Sequence, residues 1–388
     1  MEDEKLRSFK INEIKNLHIY GRTGKSGDST ALFWTASGIS VESTTGELWA
    51  ELEGDYETYE PWVSVWINGK QVSRFIVEKG RRWYCLFRGL SPKQNRFTLL
   101  KETQAMSGDE RHMLLVHALG VPKNVEGKSD EIFLPQKERS LRIEFVGDSI
   151  TTGEGLYGAT DEMDWISGWM GLSENYALST AKNLDADFRL LSQSGWGVVS
   201  GWDNNRNSTM PRHYGKICSL APGERNRKMG AQDENDFEKW KPDFVIVNLG
   251  TNDWGAFNNP PFKDEKSGVF WKLSLGDDGK PVQRDLSFFK NGVKDFITQI
   301  REKNPDAKII WAYGMCGPEL GEEIKQSVEE YKKESGDSKV DFILLDSMQN
   351  ESDEEKGSRM HPGKGTHSRA CKILCGKIRE LTEEKKNG

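Results

Sequence analysis

Several features that would place a protein in a class at once are missing or scarce in this chain. No stretch of the 388 residues approaches the roughly 20 consecutive apolar residues that span a bilayer. The formal net charge is −7, and an acidic chain is a poor match for nucleic acid or for an anionic membrane surface. We therefore expect neither nucleic acid nor a membrane as a partner.

Cysteine is also scarce. Five residues in so long a chain, an odd number, do not form a disulfide framework; they are Cys85, Cys218, Cys316, Cys371 and Cys375. No Cys or His pair with zinc-ligand spacing accompanies them, so we expect structural thiols and no metal. The first 16 residues are charged throughout and lack the apolar segment of a signal peptide. A cytoplasmic protein is expected, or an extracellular one if a signal was removed.

What is present divides the chain into two parts, and the length also favours two domains. Up to about residue 135, short aromatic and β-branched segments alternate with turn residues, without a helical period. The clearest is PWVSVWINGK at 61–70, where Asn68-Gly69 predicts a hairpin turn. This pattern predicts an all-β jelly-roll sandwich over residues 1–135.

After a polar stretch at 123–140, interpreted as a linker or a crossing segment, apolar strands alternate with amphipathic helices. The predicted strands are 141–147, 188–193, 244–250, 308–314 and 340–346, and the predicted helices lie within 173–184, 286–303, 321–335 and 370–385. Nearly continuous apolar strands of this kind predict a parallel sheet covered on both faces. We expect an α/β three-layer domain over residues 136–388.

Ligands of such folds lie at the carboxyl ends of the strands, so the residues that follow each strand are the candidates for chemistry. Four of these stretches are distinctive: GDS at 147–149, SGWG at 194–197, GTNDW at 250–254 and MHPGKGTH at 360–367. They bring a serine, a glycine-rich turn, an asparagine and a histidine to one edge of the predicted sheet.

These are the components of serine-based acyl transfer. A serine hydroxyl is a poor nucleophile until an imidazole takes its proton, and the tetrahedral intermediate needs donors directed at its oxyanion. The backbone N–H groups of Ser149 and a glycine, with the side-chain amide of Asn252, would supply three donors. Asp148 is expected to hold the serine turn through backbone N–H groups, and Asp253 to support its own loop.

GDSI, a glycine turn, GTND and HP in this order resemble the SGNH (GDSL-like) hydrolase superfamily. The resemblance implies Ser149 as nucleophile, His361 as general base, and Ser149, Gly197 and Asn252 as oxyanion donors, with Gly195 as the second choice for the glycine. His361 precedes a proline, as the family histidine does. His367 lies in the first turn of the next helix, where a packing or capping role is expected.

The first part of the chain narrows the resemblance. Gly21-Arg22, then LFWTASGIS and RFTLLKETQAM, ahead of the hydrolase half, resemble carbohydrate esterase family 2. That resemblance implies removal of O-acetyl groups from xylan or related plant carbohydrates, with an acetylated polysaccharide or oligosaccharide as the substrate and no cofactor. Two alternatives are a lipolytic esterase or thioesterase acting on longer acyl chains, and a polysaccharide-binding protein with an inert hydrolase half. A homo-oligomer is possible.

One position departs from the superfamily pattern. The aspartate usually found three residues before the histidine is replaced by Ser358. By the resemblance to family 2, we expect a Ser–His dyad whose histidine is oriented by a backbone carbonyl. Trp196 and Trp254 each lie within two residues of a predicted oxyanion donor, so they are candidates for substrate binding.

Overall fold

The computed structural model describes residues 5–349 and 352–387 of the chain. Two compact units are present. The first ends at Arg139 and also includes Ile166–Gly168 and Lys216–Asn235, whereas the second contains Ser140–Trp165, Trp169–Gly215 and the chain from Asp236 onward. The domain bounds 1–135 and 136–388 stay a prediction, and these units differ from them mainly in the two internal segments.

The first unit contains two antiparallel sheets of six strands each. One has the order β3-β4-β11-β6-β9 with β1 on β11, and the other β12-β5-β10-β7-β8 with β2 on β5. The strands are β1 (Leu6–Lys10), β2 (His18–Tyr20), β3 (Thr23–Ser26), β4 (Ser29–Leu32), β5 (Gly38–Ser43), β6 (Leu48–Asp55), β7 (Trp62–Ile67), β8 (Lys70–Ile76), β9 (Gly80–Phe87), β10 (Asn95–Lys101), β11 (Met113–Pro122) and β12 (Phe133–Leu134). The predicted jelly-roll-like fold is confirmed.

Local residue chemistry explains the clearest hairpin of this unit. Asn68 and Gly69 connect β7 to β8 with φ values of 50° and 78°, the backbone that an Asn-Gly turn between strands requires. Apolar residues of both sheets, such as Val41, Val65 and Val116, are fully buried in one core. The sequence prediction therefore located the strands from the same alternation that builds this core.

The polar stretch at 123–140 was predicted as a linker or a crossing segment, and this interpretation is wrong in part. It contains the short helix α1 (Ser129–Ile132) and β12, which pairs with β5. Phe133 is fully buried. The apolar pair Ile132-Phe133 is too short to produce a periodic signal, so the surrounding charged residues dominated the prediction.

The second unit is built on one parallel sheet with the order β14-β13-β15-β18-β19. Its strands are β13 (Leu141–Gly147), β14 (Ala186–Ser192), β15 (Phe244–Asn248), β18 (Lys308–Tyr313) and β19 (Val340–Leu344). Every residue of β15 is buried, as expected for a strand covered on both faces. The prediction of a parallel α/β unit is confirmed.

The other helices of the structure are α2 (Ser149–Thr152), α3 (Tyr176–Asn183), α4 (Glu224–Lys228), α5 (Thr251–Asn258), α6 (Gln283–Lys303), α7 (Gly321–Ser335) and α8 (Lys364–Asn387). Short 3-10 turns occur at Ile11–Glu13, Ser167–Trp169, Met210–His213 and Ser358–Met360. The long insertion before α6 contains a small hairpin of β16 (Phe262–Lys263) and β17 (Phe270–Trp271). Within residues 5–349 and 352–387, no helix combines the length and apolar character needed to cross a membrane.

The side chain of Lys101 is completely buried in the first unit. The ammonium group of Lys101 donates to three carbonyl oxygens, those of Phe33 (3.0 Å), Thr103 (2.7 Å) and Gln104 (2.6 Å). Burial lowers the pKa of Lys101 to about 7. A buried cation of this kind persists because each of its donors is used, and the segment that follows β10 is held in place by it.

We expect Lys101→Met to lower the free energy of unfolding by about 3 kcal/mol, because three buried carbonyl groups lose their donor. Urea unfolding monitored by circular dichroism measures this loss. Lys70→Met is the matched control, since Lys70 is exposed at the start of β8. Equal stability of the two variants would contradict this assignment.

Candidate active site

Ser149 lies on a sharp turn at the carboxyl end of β13. Asp148 caps the four-residue helix α2, with one carboxylate oxygen accepting from the N–H of Ile150 at 3.0 Å. A Cβ on Gly147 would lie 2.0 Å from the Thr151 hydroxyl, so only glycine permits this turn. The expected turn-holding role of Asp148 is confirmed.

The imidazole of His361 meets this hydroxyl from a segment that follows β19. Its Nε2 lies 2.8 Å from Ser149 Oγ, and its Nδ1 lies 2.9 Å from the carbonyl oxygen of Arg359. A carbonyl only accepts, so Nδ1 carries the proton and Nε2 presents its lone pair to the serine. The predicted orientation of the histidine by a backbone carbonyl is confirmed. Ser358, where the superfamily usually has aspartate, directs its hydroxyl at the Tyr157 carbonyl instead.

Asn252 connects two of the other predicted stretches. Its side-chain amide donates to Asp148 Oδ2 at 3.0 Å and to the carbonyl oxygen of Trp196 at 3.0 Å. The amide thereby ties the serine turn to the glycine-rich turn. Because both N–H groups already have protein acceptors, its predicted role as an oxyanion donor stays a prediction.

The N–H of Gly197, the predicted glycine donor of the oxyanion hole, already has a protein acceptor, so this role stays a prediction. Its N–H donates to the carbonyl of Ser208 at 3.3 Å, and a Cβ there would lie 2.3 Å from Asp253. Gly197 therefore serves backbone packing. The second choice, Gly195, has φ +81°, and its N–H has no hydrogen-bond partner among the described residues, as is also true of the N–H of Ser149.

The loop that presents Gly195 is fixed by Asp253. One carboxylate oxygen accepts from the N–H of Val198 at 2.8 Å, and the other accepts from Val199 at 2.8 Å and Ser200 at 3.3 Å. Asp253 was expected to support its own loop after β15, whereas these three N–H groups belong to the loop after β14, so the expected partner was wrong. Burial raises the pKa of Asp253 to about 6 and that of Asp148 to about 7, so the two site carboxyls titrate close to neutrality.

The sequence analysis missed a third buried carboxylate. Glu154 follows α2, and one of its oxygens accepts from the guanidinium of Arg359 at 2.8 Å while the other lies 3.9 Å from His361 Nε2. Only 3% of its side chain is exposed. Its position in TTGEGL, five residues after the nucleophile, was the available signal, but nothing in the sequence indicates that this carboxylate faces the histidine.

Indole rings surround the site as well. Trp196 is half-buried and packs on His213 with the ring centroids 4.9 Å apart, and Trp254 is half-buried beside Phe257. Their substrate-binding role stays a prediction. Trp202, which the sequence analysis did not select, is 53% exposed, and its ring lies 3.0 Å from the position that a Cβ on Gly195 would take.

His367 is not part of the dyad. It is fully buried on α8, and its Nδ1 accepts from the N–H of Tyr176 at 3.0 Å, as the predicted packing role requires. Burial lowers the pKa of His367 to about 3. Over the described ranges, no group of three His, Cys, Asp or Glu side chains is arranged to hold a metal ion.

The segment that carries His361 is anchored to α8 by Glu355. Its carboxylate accepts from Arg369 at 2.6 Å and from the Thr366 hydroxyl at 3.0 Å, and its backbone carbonyl accepts from Gly363 at 2.7 Å. The hydrogen bonds from Arg369 hold the pKa of Glu355 at about 2. The histidine loop therefore depends on an ion pair within its own unit.

Comparisons with known proteins identify the family of this chain. The model of the GDSL-like lipase/acylhydrolase family matches residues 145–368. An acetyl xylan esterase from the rumen bacterium Butyrivibrio proteoclasticus is 40% identical, with a TM-score of 0.92 over 98% of this chain and 99% of that chain. A family two carbohydrate esterase from Clostridium thermocellum, solved with cellohexaose, shares the fold at 22% identity and a TM-score of 0.75, over 95% of this chain and 99% of that one.

The cellulase/esterase CelE of Acetivibrio thermocellus is 25% identical over 324 residues, which is 82% of this chain; the chain spans 34% of the length of CelE. The fold and the Ser–His arrangement are those of a carboxylic ester hydrolase. The chain belongs to the GDSL-like lipase/acylhydrolase family, and within it the chain is similar over nearly its whole length to an acetyl xylan esterase.

We expect Glu355→Gln to lower the free energy of unfolding by about 2 kcal/mol at pH 7, because the paired carboxylate is lost. The folded pKa of about 2 lies below the unfolded value of about 4.3. The contribution of this carboxylate is therefore complete above pH 4.3 and is lost as the pH falls towards 2. Urea unfolding at pH 7 and pH 3 measures the difference from wild type, which should shrink at pH 3.

Glu354→Gln is the control, since the ion pair of Glu354 with Lys364 is exposed and such pairs contribute little. A loss that is equal in both variants, or that is undiminished at pH 3, would show that the ion pair of Glu355 does not anchor the loop.

Proposed function

We propose that this protein removes O-acetyl groups from xylan or related plant carbohydrates through an acetyl-serine intermediate. The observation that carries the proposal is the 2.8 Å contact between Ser149 Oγ and His361 Nε2. The 40% identity to an acetyl xylan esterase over nearly the whole of both chains supports acetate as the acyl group.

The first step is attack of Ser149 Oγ on the acetyl carbonyl. His361 Nε2 takes the hydroxyl proton, while the hydrogen bond from Nδ1–H to the Arg359 carbonyl keeps the ring in the required tautomer. Ser149 is 7% exposed, so the reacting hydroxyl is largely shielded from water, which strengthens its interaction with the imidazole.

The tetrahedral intermediate places a negative charge on the former carbonyl oxygen. The N–H groups of Ser149 and Gly195 are the donors we assign to this oxyanion. Asn252 would join them if its bond to the Trp196 carbonyl were exchanged for one to the oxyanion. In the absence of that exchange, Asn252 contributes by holding the two turns together.

Collapse of this intermediate transfers the proton from His361 to the departing sugar hydroxyl and leaves acetyl on Ser149. A water molecule then loses a proton to His361 and attacks the acetyl-serine. The second tetrahedral intermediate breaks down to acetate and free Ser149, with the proton returned from the imidazolium to the serine oxygen. Every proton in this cycle passes through Nε2.

Recognition of a carbohydrate is supported by the indole of Trp202. This ring is exposed and lies beside Gly195, so a sugar whose acetyl group reaches Ser149 would pass close to it. Sugar rings present apolar C–H faces that pack on exposed aromatic side chains. Self-association of the chain stays a prediction.

We expect Ser149→Ala and His361→Ala each to lower kcat for acetate release from acetylated xylan by about three orders of magnitude or more, because nucleophile and base act as a unit. Enzymatic measurement of acetate against the wild type tests this. Binding of xylan without acetate release by the wild type would favour the inert-domain alternative.

A second prediction concerns substrate choice. The rate on p-nitrophenyl esters is expected to fall steeply beyond acetate, whereas a preference for longer chains would favour a lipolytic esterase.

Trp202→Ala should raise KM by about 5- to 10-fold for acetylated xylan and less for p-nitrophenyl acetate. Trp202→Phe keeps an aromatic face and should retain most of the affinity. An equal change for both substrates would remove Trp202 from sugar binding.

A further inference from the structure

The buried carboxylate of Glu154 occupies a particular place beside the dyad. Its Oε1 accepts from Arg359 Nε at 2.8 Å, and its Oε2 lies 3.9 Å from His361 Nε2, the nitrogen that also contacts Ser149. With 3% of its side chain exposed, Glu154 has little access to solvent. An ionised carboxylate in such a place must be compensated by nearby cationic or donor groups.

Arg359 links the two sides of the imidazole. Its backbone carbonyl accepts from Nδ1 of His361, and its guanidinium donates both to Glu154 and to the Met163 carbonyl at 2.7 Å. Arg359 and Met360 have φ values of 54° and 59°, a left-handed backbone that is unfavourable for residues other than glycine. The two guanidinium contacts help to hold the carbonyl in this strained orientation.

Electrostatics in this cluster favour an ionised Glu154. Burial acts to raise its pKa, but the charge of His361 and the hydrogen bond and charge of Arg359 outweigh burial and hold the pKa below its ordinary value. The interaction is mutual, because a carboxylate stabilised by an imidazolium stabilises that imidazolium to the same extent. Charges about 4 Å apart interact strongly where water is excluded.

The other titratable groups near Glu154 and His361 differ in the direction in which burial shifts their pKa. His367 on α8 is neutral, because burial lowers its pKa to about 3. The Cys316 thiol after β18 also stays neutral, since burial raises its pKa. Burial raises the pKa of Asp148 at the end of β13 to about 7 and that of Asp253 after β15 to about 6. A pH-dependent test of Glu154 must therefore be separated from these two carboxyl groups.

We propose that Glu154 is a positioning residue that supplies, on the Nε2 side of His361, the negative charge that an aspartate bonded to Nδ1 supplies in Ser-His-Asp enzymes. The inference rests on the proposed esterase function. In the transition state the ring carries a proton on both nitrogens, one facing the Arg359 carbonyl and the other facing Ser149 and Glu154. The carbonyl orients the ring, and Glu154 stabilises its charge.

The ion pair with Arg359 explains why Glu154 can stay ionised in the resting enzyme. When His361 is neutral, the guanidinium balances Glu154. When His361 gains the serine proton, the second carboxylate oxygen already faces it, so no reorganisation is needed. Ser358 at the usual aspartate position is then compatible with an active enzyme, because the compensating charge comes from the segment after α2.

The test is Glu154→Gln in the full chain, since glutamine keeps the shape and an acceptor for Arg359 but removes the charge. We expect kcat for p-nitrophenyl acetate to fall about 10- to 100-fold with little change in KM. The acid limb of the pH–rate profile should move to lower pH by about one unit, because the imidazolium has lost its stabilising partner. Glu174→Gln, which removes an exposed charge, is the matched control.

An NMR titration of the His361 ring, assigned by comparison with His361→Ala, separates this effect from the titration of Asp148 and Asp253. The His361 midpoint should fall in Glu154→Gln and remain unchanged in Glu174→Gln. A merely structural role would lower kcat without moving this midpoint. Glu154→Asp should show a smaller shift in the same direction, and it serves as the deciding variant if the glutamine variant fails to fold.

The esterase function and the role of Glu154 can be tested independently. If Ser149→Ala retains wild-type activity, the proposed function is wrong. If Ser149→Ala is inactive while Glu154→Gln, or Glu154→Asp in its place, keeps the wild-type rate, acid limb and His361 midpoint, the assignment of Glu154 is wrong and the dyad stands.

Discussion

One buried amide holds the site together. Asn252 donates to the carboxylate of Asp148 and to the carbonyl of Trp196, so the turns after β13 and β14 are tied to the first residues after β15. A parallel sheet brings these three strand ends close to one another, but it does not set their spacing. The side-chain amide of Asn252 fixes this spacing, because an unpaired donor or acceptor in this buried place would cost about 1–3 kcal/mol.

Around that amide, three interior carboxyl groups serve different purposes. Asp148 and Asp253 hold backbone N–H groups, and burial raises the pKa of each. Glu154 is paired with Arg359 and faces the imidazole, and its pKa is lowered despite burial. The difference comes from cationic partners: Arg359 and His361 compensate the charge of Glu154, whereas the two aspartates have only neutral donors. The two aspartates thus have a structural role, whereas Glu154 has an electrostatic one.

The sequence analysis succeeded where a signal is local. The bounds 141–147 for β13 were predicted as the structure has them, and Ser149 and His361 were selected correctly as a contacting pair. It could not resolve features that depend on which backbone group has a hydrogen-bond partner. Gly195 and Gly197 are both glycines in one turn, and only the contact of Gly197 with Ser208 shows that its N–H is occupied. Glu154 and Trp202 were overlooked for a related reason, since their importance comes from what lies next to them in space.

The sequence by itself determined the architecture and the stretches that follow each strand, because apolar periodicity is a property of neighbouring residues and chain direction decides which residues follow a strand. The choice of Ser149 and His361 within those stretches came from the resemblance to a known family. Only the tertiary structure decided which backbone N–H groups have partners among the described residues, which residue supplies the carbonyl that orients His361 and which carboxylate lies beside the imidazole. The physical reason is that these features arise from contacts between segments far apart in the chain: His361 and Ser149 are 212 positions apart, and Arg359 and Glu154 are 205 apart. No local pattern of residue types encodes the direction in which such side chains and carbonyl groups point.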